Sequence, residues 1–367
     1  MYTDNLVSIV TSVFNGERFL AQAIESVLRQ SFRDFEFIII DDGSTDSTGS
    51  ILERYSQQDE RIRVFKQENL GLIASLNRGC RLASGQYIAR MDGDDVALAE
   101  RLEKQVEFMK ANPSIGLLGG AVEFISAQGQ PLSISGNPTT DTEIRKALKY
   151  SSPFWHPTVM MRREAFELVG GYRMAFVQAE DYDMWLRIAE NFKVANLSTV
   201  LVQYRLHPHQ VSVLHRKKQI ISSLAARASA DERAKGNLDP FDAVEHITDD
   251  LLTSLGISES VQQKELIENY VWTIRNMCNT GEYQTASALM LQLQRSQEAN
   301  RLESRTDADL SLLAARIYLD EARVWKALAS VVRALFLRPL IFGSLVLQVV
   351  GWTRKRNLTV VRRNATS

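Results

Sequence analysis

The segment FEFIIIDDGSTD (Phe35–Asp46) joins an almost unbroken apolar run to a cluster of acidic and turn-forming residues. Only Glu36 interrupts the run, which favours a strand buried on both faces, as in a parallel sheet. The turn residues that follow predict the start of a helix, which we expect to reach about Tyr55. This segment therefore predicts one strand–helix unit of an α/β protein, with carboxylates at the carboxyl end of the strand.

The same alternation of strand and helix continues on either side of this segment. Apolar runs predict strands at 6–11, 62–65 and 87–91, and apolar residues at helical spacing predict helices at 17–30 and 72–83. This order predicts an α/β fold with a doubly wound, mostly parallel sheet. In such sheets, ligands bind at the carboxyl ends of the strands.

Polar side chains follow three of the predicted strands, at Thr11–Asn15, Asp41–Ser44 and Asp92–Asp95. The last segment holds three carboxylates within four residues, and these repel one another unless a cation is present. A divalent ion with oxygen ligands resolves that repulsion, and the alternative is an acidic turn at the surface. The chain has no GxGxxG after its first strand and no GxxxxGKS/T, which argues against a dinucleotide site and a P-loop.

Composition and charge limit the class of protein. The chain has 367 residues, 45% hydrophobic and 24% charged, which is typical of two or three globular domains. A formal charge of −1 gives no overall field for nucleic acid, so we expect no such partner. Cys80 and Cys278 lack metal-site spacing and favour a reducing compartment. Because the N-terminal residues lack signal-peptide features, we expect a cytoplasmic protein.

The sequence pattern changes twice along the chain. Residues 113–212 mix strand and helix patterns, and from about residue 217 the pattern is almost wholly helical. We therefore predict an α/β domain over residues 1–215, an all-α domain over 216–321 and a basic amphipathic tail over 322–367.

The predicted tail carries nine basic residues and no acidic residue. Residues 323–337 have the pattern of an amphipathic helix, and the uncharged run 339–353 is shorter than the roughly 20 residues that span a bilayer. These features predict a segment that lies on an anionic membrane surface, which would place the protein peripherally on the inner face of the plasma membrane. The alternative is that the apolar run packs into the helical domain.

Taken in order, these motifs and several later ones resemble those of family 2 glycosyltransferases, which have the GT-A fold. The resemblance extends over about residues 5–215. The segments that carry it are VSIVT (Val7–Thr11), Phe14-Asn15, IDDGSTD (Ile40–Asp46), Asn69-x-Gly71, GQYIARMDGDD (Gly85–Asp95), HPT (His156–Thr158), GGY (Gly170–Tyr172), EDYDMWL (Glu180–Leu186) and Tyr204-Arg205-x-His207.

The resemblance implies a role for particular positions on the donor side. The side chains expected to bind the nucleotide are Thr11, Phe14, Asn15, Asp41 or Asp42, Asn69 and Asp92. Within this set, Asp41 or Asp42 would bind the base, usually uracil. Asp92 and Asp94 would hold Mg²⁺ or Mn²⁺ and, through it, the donor diphosphate, and His207 would contact the metal or the diphosphate.

On the acceptor side, the resemblance implies that Asp181 is the general base that deprotonates the acceptor hydroxyl. His156, Glu180 and Trp185 are weaker candidates for the acceptor pocket, since each could serve the core or the helix start instead. A carboxylate suits this task because an acceptor hydroxyl is a poor nucleophile.

The resemblance implies an inverting, metal-dependent transferase that moves one sugar from a UDP-sugar to a carbohydrate acceptor. The basic tail favours a lipid-linked acceptor, as in the synthesis of bacterial O-antigen, capsule or exopolysaccharide. The chain lacks the QxxRW motif of the processive synthases, which favours transfer of a single sugar.

Two alternatives remain open from the sequence. A sugar nucleotidyltransferase would need a basic first loop for a triphosphate, and residues 11–16 contain no lysine or arginine. A non-catalytic helical scaffold with an inactive transferase domain would not require Asp92, Asp94 and Asp181, which are all present.

Overall fold

The computed structural model describes residues 6–207, 216–280, 283–295 and 304–337. Contacts divide the chain into two compact units, Met1–Ile257 and Ser258–Ser367. The predicted domain boundary after residue 215 borders a segment outside the described residues, and the predicted domain limits stay predictions. The tail residues 338–367 also lie outside the described residues.

The first unit contains strands and helices in alternation, as the pattern predicts. In chain order they are β1 (Val7–Val13), α1 (Leu20–Leu28), β2 (Phe35–Asp41), α2 (Thr48–Gln58), β3 (Ile62–Lys66), α3 (Leu72–Leu82), β4 (Tyr87–Arg90), β5 (Val96–Ala97), α4 (Arg101–Ala111), β6 (Ile115–Ile125), β7 (Pro131–Ser135), α5 (Asp141–Leu148), β8 (Met160–Arg162), α6 (Arg163–Val169), α7 (Glu180–Asn191), β9 (Lys193–Arg205), α8 (Arg216–Ala234) and α9 (Asp249–Ser254).

Nine strands of the described residues form one sheet in the order β3-β2-β1-β4-β8-β6-β9-β5, with β7 beside β6. The strands β3, β2, β1 and β4 are mutually parallel, and so are β6 and β9. The short strands β8 and β5 run antiparallel to their neighbours. The predicted α/β class with a mostly parallel sheet is confirmed.

The strand β2 is buried along its whole length, which explains its apolar run. Its one charged member, Glu36, is 2% exposed and accepts hydrogen bonds from the hydroxyls of Ser8 and Ser84, each at 2.6 Å. Arg63 on β3 also pairs with this carboxylate. Glu36 is therefore tolerated in the core because its oxygens have partners.

The helix α2 begins at Thr48, a few residues later than the sequence predicts. The turn residues before it serve the loop instead, since Ser44 N donates to Asp41 Oδ1 and Thr45 N donates to Asn15 Oδ1. The predicted capping residues thus join two loops at the edge of the sheet.

The described part of the second unit is all-helical. It consists of α10 (Glu259–Thr280), α11 (Tyr283–Arg295), α12 (Ser304–Asp320) and α13 (Val324–Leu337). Ala334 of α13 packs against Ala308 and Leu312 of α12. Within the described residues, no helix has the length and apolar character that crossing a membrane requires.

Candidate active site

The carboxyl ends of β2, β1 and β4 lie side by side in the centre of the parallel half of the sheet. Val13 at the end of β1 pairs with Asp41 at the end of β2, and Val10 pairs with Arg90 at the end of β4. The loops that follow these three strands therefore meet at one edge, where a ligand of an open α/β sheet binds.

The loop after β1 is joined to the loop after β2 by hydrogen bonds. Asn15 has a positive φ of 51°, and its backbone N donates to Ser44 Oγ at 3.0 Å while its Oδ1 accepts from Thr45 N at 2.8 Å. Phe14 beside it is 52% exposed. The hydroxyl of Thr11 is buried and donates to the carbonyl of Met91 at 2.8 Å, so it links β1 to the acidic loop.

The two carboxylates after β2 have different partners. Asp42 is buried and accepts hydrogen bonds from Gln67 Nε2, Leu70 N and Gly71 N at 2.7–2.9 Å. Its two oxygens therefore hold the 67–71 loop, in which Asn69 is exposed. Asp41 is buried too, and its Oδ1 accepts from Ser44 N at 3.0 Å.

The 67–71 loop approaches the turn after β2 closely. Gly43 has a φ of +81°, and a Cβ at this position would lie 2.8 Å from the backbone N of Asn69. A residue with a side chain would meet both backbone strain and a steric clash there. The glycine of the DDGS segment therefore permits the packing of the two loops.

The acidic loop after β4 places Asp94 beside His207. Asp92 pairs with the buried guanidinium of Arg90. Asp94 Oδ2 lies 2.9 Å from His207 Nε2, and the side chains of Asp92 and Asp94 are 30% and 34% exposed. The structure thus brings together two of the residues that the resemblance assigns to the metal, Asp94 and His207, while Asp92 pairs with Arg90.

The electrostatics of this loop suit a divalent cation. Burial, and secondarily the charge of Asp94, raise the pKa of Asp92, and burial and the same neighbour raise the pKa of Asp95 strongly. Asp95 is 2% exposed, and its Oδ2 has no hydrogen-bond partner among the described residues. A cation would relieve this repulsion, and oxygen and imidazole donors fit Mg²⁺ or Mn²⁺.

The described residues contain no group of three or more His, Cys, Asp and Glu side chains arranged to hold a metal ion. By themselves, the residues that the structure describes therefore do not present a complete set of ligands. Mg²⁺ usually keeps waters and takes phosphate oxygens along with one or two carboxylates. A site completed by a bound diphosphate is consistent with the side chains present.

Two buried arginines support the acidic loop, although neither is among the site residues predicted from the sequence. Arg90 is 2% exposed and pairs with Asp92. The equally buried Arg205 donates through Nε to the carbonyl of Asp94 and through its backbone N to Asp95 Oδ1, both at 2.8 Å. For Arg90, the available signal was an arginine in a predicted apolar strand that is followed by carboxylates.

A second acidic pair, Glu180 and Asp181, lies in the first turn of α7. Burial, and then the charge of Asp181, raise the pKa of Glu180 to about 8. Burial raises the pKa of Asp181 to about 6, and the charge of Asp92 adds to this rise. Asp181 Oδ1 also accepts a hydrogen bond from Tyr182 N at 2.7 Å. The second acidic pair is therefore within electrostatic range of the acidic loop.

His156 and Trp185 lie in an aromatic cluster. His156 Nε2 is 3.0 Å from the hydroxyl of Tyr172, and burial, followed by the charge of Arg90, lowers the pKa of His156 well below its usual value. The ring of Trp185 is fully buried and packs against both His156 and Tyr172. His156 is therefore neutral at pH 7. Trp185, a residue of α7, is part of the hydrophobic core next to His156 and Tyr172.

Comparison with known proteins relates this chain to glycosyltransferases. The sequence model of "Glycosyl transferase family 2" matches residues 8–170. The O-antigen biosynthesis glycosyltransferase WbnJ of Escherichia coli is 33% identical over 207 residues, covering 55% of this chain and 80% of WbnJ. The amylovoran biosynthesis glycosyltransferase AmsE of Erwinia amylovora is 31% identical over 204 residues, covering 54% of this chain and 76% of AmsE.

Two solved structures share the fold at low sequence identity. The mannosyltransferase PcManGT from Pyrobaculum calidifontis, in complex with GDP-Man and Mn²⁺, has a TM-score of 0.51 at 17% identity and covers 91% of this chain and 88% of its own. S. aureus TarS 1-349 in complex with UDP has a TM-score of 0.50 at 17% identity, over 89% of this chain and 88% of that one. The expected GT-A fold is thereby confirmed.

Proposed function

Because this chain belongs to glycosyl transferase family 2 and is therefore a glycosyltransferase, we propose that it moves one sugar from a UDP-sugar to a carbohydrate acceptor with inversion. One observation carries the proposal. Arg90 pairs with Asp92 of the acidic loop after β4, and its charge also acts on both carboxylates that start α7. Donor and acceptor chemistry would meet between the acidic loop and these carboxylates.

The donor nucleotide would bind at the joined loops after β1 and β2. Asp42 is committed to the 67–71 loop, so Asp41 is the better candidate to accept a hydrogen bond from the uracil. The exposed ring of Phe14 offers an apolar surface to the base, and Asn15 fixes the loop beside it. UDP in TarS supports this donor class, whereas PcManGT binds GDP-Man.

Asp92, Asp94 and His207 would hold Mn²⁺ or Mg²⁺ together with the donor diphosphate. When bound, the ion supplies Lewis-acid stabilisation of the charge that develops on the leaving diphosphate. The protein's own contribution is the orientation of the acidic loop. Arg90 forms an ion pair with Asp92, and Arg205 Nε donates a hydrogen bond to the carbonyl of Asp94.

Asp181 would accept the proton of the acceptor hydroxyl while the acceptor oxygen attacks the anomeric carbon. The bond from that carbon to the diphosphate breaks, and UDP leaves with the electron pair. A pKa of about 6 leaves Asp181 largely ionised at neutral pH, yet still basic enough to assist. Glu180, with a pKa of about 8, stays mostly protonated and can donate a hydrogen bond to the acceptor.

The biological setting follows from the relatives and from the tail. WbnJ and AmsE act in O-antigen and amylovoran biosynthesis, which supports a role for this chain in bacterial surface-polysaccharide synthesis. We further propose a lipid-linked acceptor and a peripheral position on the inner face of the plasma membrane. The exposed apolar side chains of Leu328, Val332 and Phe336 along α13 support this position.

The decisive experiment is calorimetric titration of UDP with and without Mn²⁺, on the wild type and on the Asp92→Asn/Asp94→Asn double variant. We expect metal-dependent binding that the double variant loses. The Asp181→Asn variant is the control, since it should bind UDP like the wild type and fail in transfer. Equal binding without metal would remove the metal assignment, and no binding of UDP would move the donor to another nucleotide.

A further inference from the structure

The helix α7 is held on its buried side by a group of charged residues, which we call the anchor cluster (Arg173, Asp183, Arg187, Arg233 and Asp239). Its centre is Asp183, which has no exposed surface. The Asp183 carboxylate accepts from Arg173 Nε at 3.0 Å and from Arg187 Nη2 at 2.7 Å, and it also pairs with Arg173 Nη2. Both oxygens of Asp183 are therefore occupied by guanidinium groups.

The anchor cluster extends into the segment after α8. The Asp239 side chain is 3% exposed and accepts from Arg173 Nη1 and from Ser229 Oγ, both at 2.8 Å. It also pairs with Arg233, whose Nη2 lies 2.7 Å from Glu190 Oε1 at the far end of α7. The segment 229–239 thus contacts α7 indirectly through Asp183 and directly through Glu190.

The start of α7 has no side-chain cap of its own. The residue before the helix, Ala179, gives no side-chain cap, and Gln178 has a positive φ of 73°. Asp183 lies two residues after Asp181, in the same turn of the helix. The charged groups that hold Asp183 therefore also hold the turn of backbone from which the Asp181 side chain projects.

We propose that Asp239 is a positioning residue for the transfer reaction: through Arg173 and Asp183 it fixes the first turn of α7, and with it the general base Asp181. The proposal rests on the function proposed above. Arginine–carboxylate pairs with two bonds fix direction as well as distance, which apolar contacts do not. Asp239 lies outside the residues that match the family model, 8–170, and 66 residues from Arg173.

The test compares Asp239→Asn with a matched control, Asp242→Asn. Asp242 lies 3.6 Å from Arg173 Nη1, but its side chain is 77% exposed. Three measurements are made: steady-state kinetics, which give kcat and KM for the sugar donor; calorimetry, which gives the Kd of UDP; and hydrogen exchange of the amides of residues 180–187. We expect Asp239→Asn to lower kcat about 10- to 100-fold, because small misplacements of a catalytic group are costly.

The same variant should leave the Kd of UDP within about twofold, since none of the hydrogen bonds given above for the donor loops involves a member of the cluster. It should also accelerate exchange in α7. Asp242→Asn should match the wild type in all three measurements. Should Asp239→Asn fail to fold, Ser229→Ala leaves the charges unchanged and removes the Ser229 hydroxyl, which donates to Asp239 and accepts from Arg173 Nη2 and Arg233 Nη1. It should lower kcat about threefold, again without changing UDP affinity.

Three results would overturn the proposal. The first is an unchanged kcat with only a lower melting temperature, which would leave the cluster a purely stabilising role. The second is a parallel loss of UDP affinity and kcat, and the third is unchanged exchange in α7. A wild type that binds UDP but transfers no sugar would instead contradict the proposed function, and the exchange measurement would still decide whether Asp239 anchors α7.

Discussion

The donor side and the α7 side of the site are held in place by different interactions. On the donor side, in the loops after β1 and β2, short polar side chains bond to backbone N–H groups of the neighbouring loop, as Asn15 does with Thr45 and Asp42 with Gly71. On the α7 side, largely buried arginines and carboxylates pair across long stretches of sequence, as Arg173 does with Asp239.

This difference has a physical consequence. Side chain–backbone bonds within a loop pair fix the local shape of a pocket, so a lost bond should change affinity for the ligand that the pocket surrounds. Buried ion pairs between elements fix the placement of a whole helix, so a lost pair should change the geometry of the reacting groups. The comparison therefore predicts that donor-side variants alter binding and that α7-side variants alter turnover.

The largest effect should come from Asp181→Asn, which removes the proposed base without changing the size of the side chain. We expect kcat to fall by about 10²- to 10⁴-fold, the usual contribution of a general base. The Kd of UDP should stay at the wild-type value, as measured by calorimetry. A variant that keeps most of its turnover would show that another group takes the acceptor proton.

Asp42→Asn tests the donor side of the comparison. The amide keeps one acceptor oxygen, so at least one of the bonds to Leu70 N and Gly71 N is lost. A buried donor left unpaired costs about 1–3 kcal/mol. Because the unpaired donor lies in the 67–71 loop, we expect the Kd of UDP to rise about tenfold while kcat at saturating donor is unchanged.

Asp59→Asn is the control, because Asp59 forms an ion pair with Arg61 before β3 and has no predicted role in the donor loops. For Asp42→Asn, a fall in kcat with an unchanged Kd would contradict the comparison.

The sequence was sufficient to predict the parallel part of the sheet and the acidic loop. The reason is that their signals are contiguous: an apolar run such as Phe35–Ile40 ends in the residues that the fold places at the site. Binary patterns report such local alternation directly.

The sequence was not sufficient to predict which partners the charged residues find. The different uses of Asp41 and Asp42 depend on where the 67–71 loop lies, and the burial of Asp183 depends on Arg173 and on the chain beyond α8. These are tertiary pairings without a fixed spacing, so no local pattern reports them. The burial of Ala327 and Ala334 on α13, where larger apolar residues of the same helix are exposed, also depends on tertiary packing.

The pH dependence of turnover should separate the two carboxyls that start α7. Asp181 acts as its anion, and its pKa is raised to about 6, so kcat should fall as the pH drops through about 6 and be roughly tenfold lower at pH 5. Glu180 acts in its protonated form with a pKa of about 8, so kcat should fall again above that pH. The measurement is a pH profile of kcat for the wild type and for Glu180→Gln. The variant should lose only the alkaline fall, and a variant that loses the acid fall instead would exchange the two roles.

The smallest effect concerns the second unit. Phe336 on α13 is 87% exposed, in line with Val332 and Leu328, and the chain from residue 322 onward carries only basic charges. We expect this face to enter the headgroup region of an anionic bilayer. Phe336→Asp should then weaken binding to vesicles rich in phosphatidylglycerol about fivefold. This factor corresponds to about 1 kcal/mol, the free energy expected from partial burial of one aromatic side chain.

The control is Leu291→Asp, which adds the same charge at an exposed apolar position on α11 and should bind like the wild type. Cosedimentation at fixed ionic strength measures both variants. Equal losses of vesicle binding in the two variants would indicate a general charge effect. A wild type that does not bind the vesicles would contradict the proposed membrane contact, and the transferase would then meet its acceptor without a membrane surface.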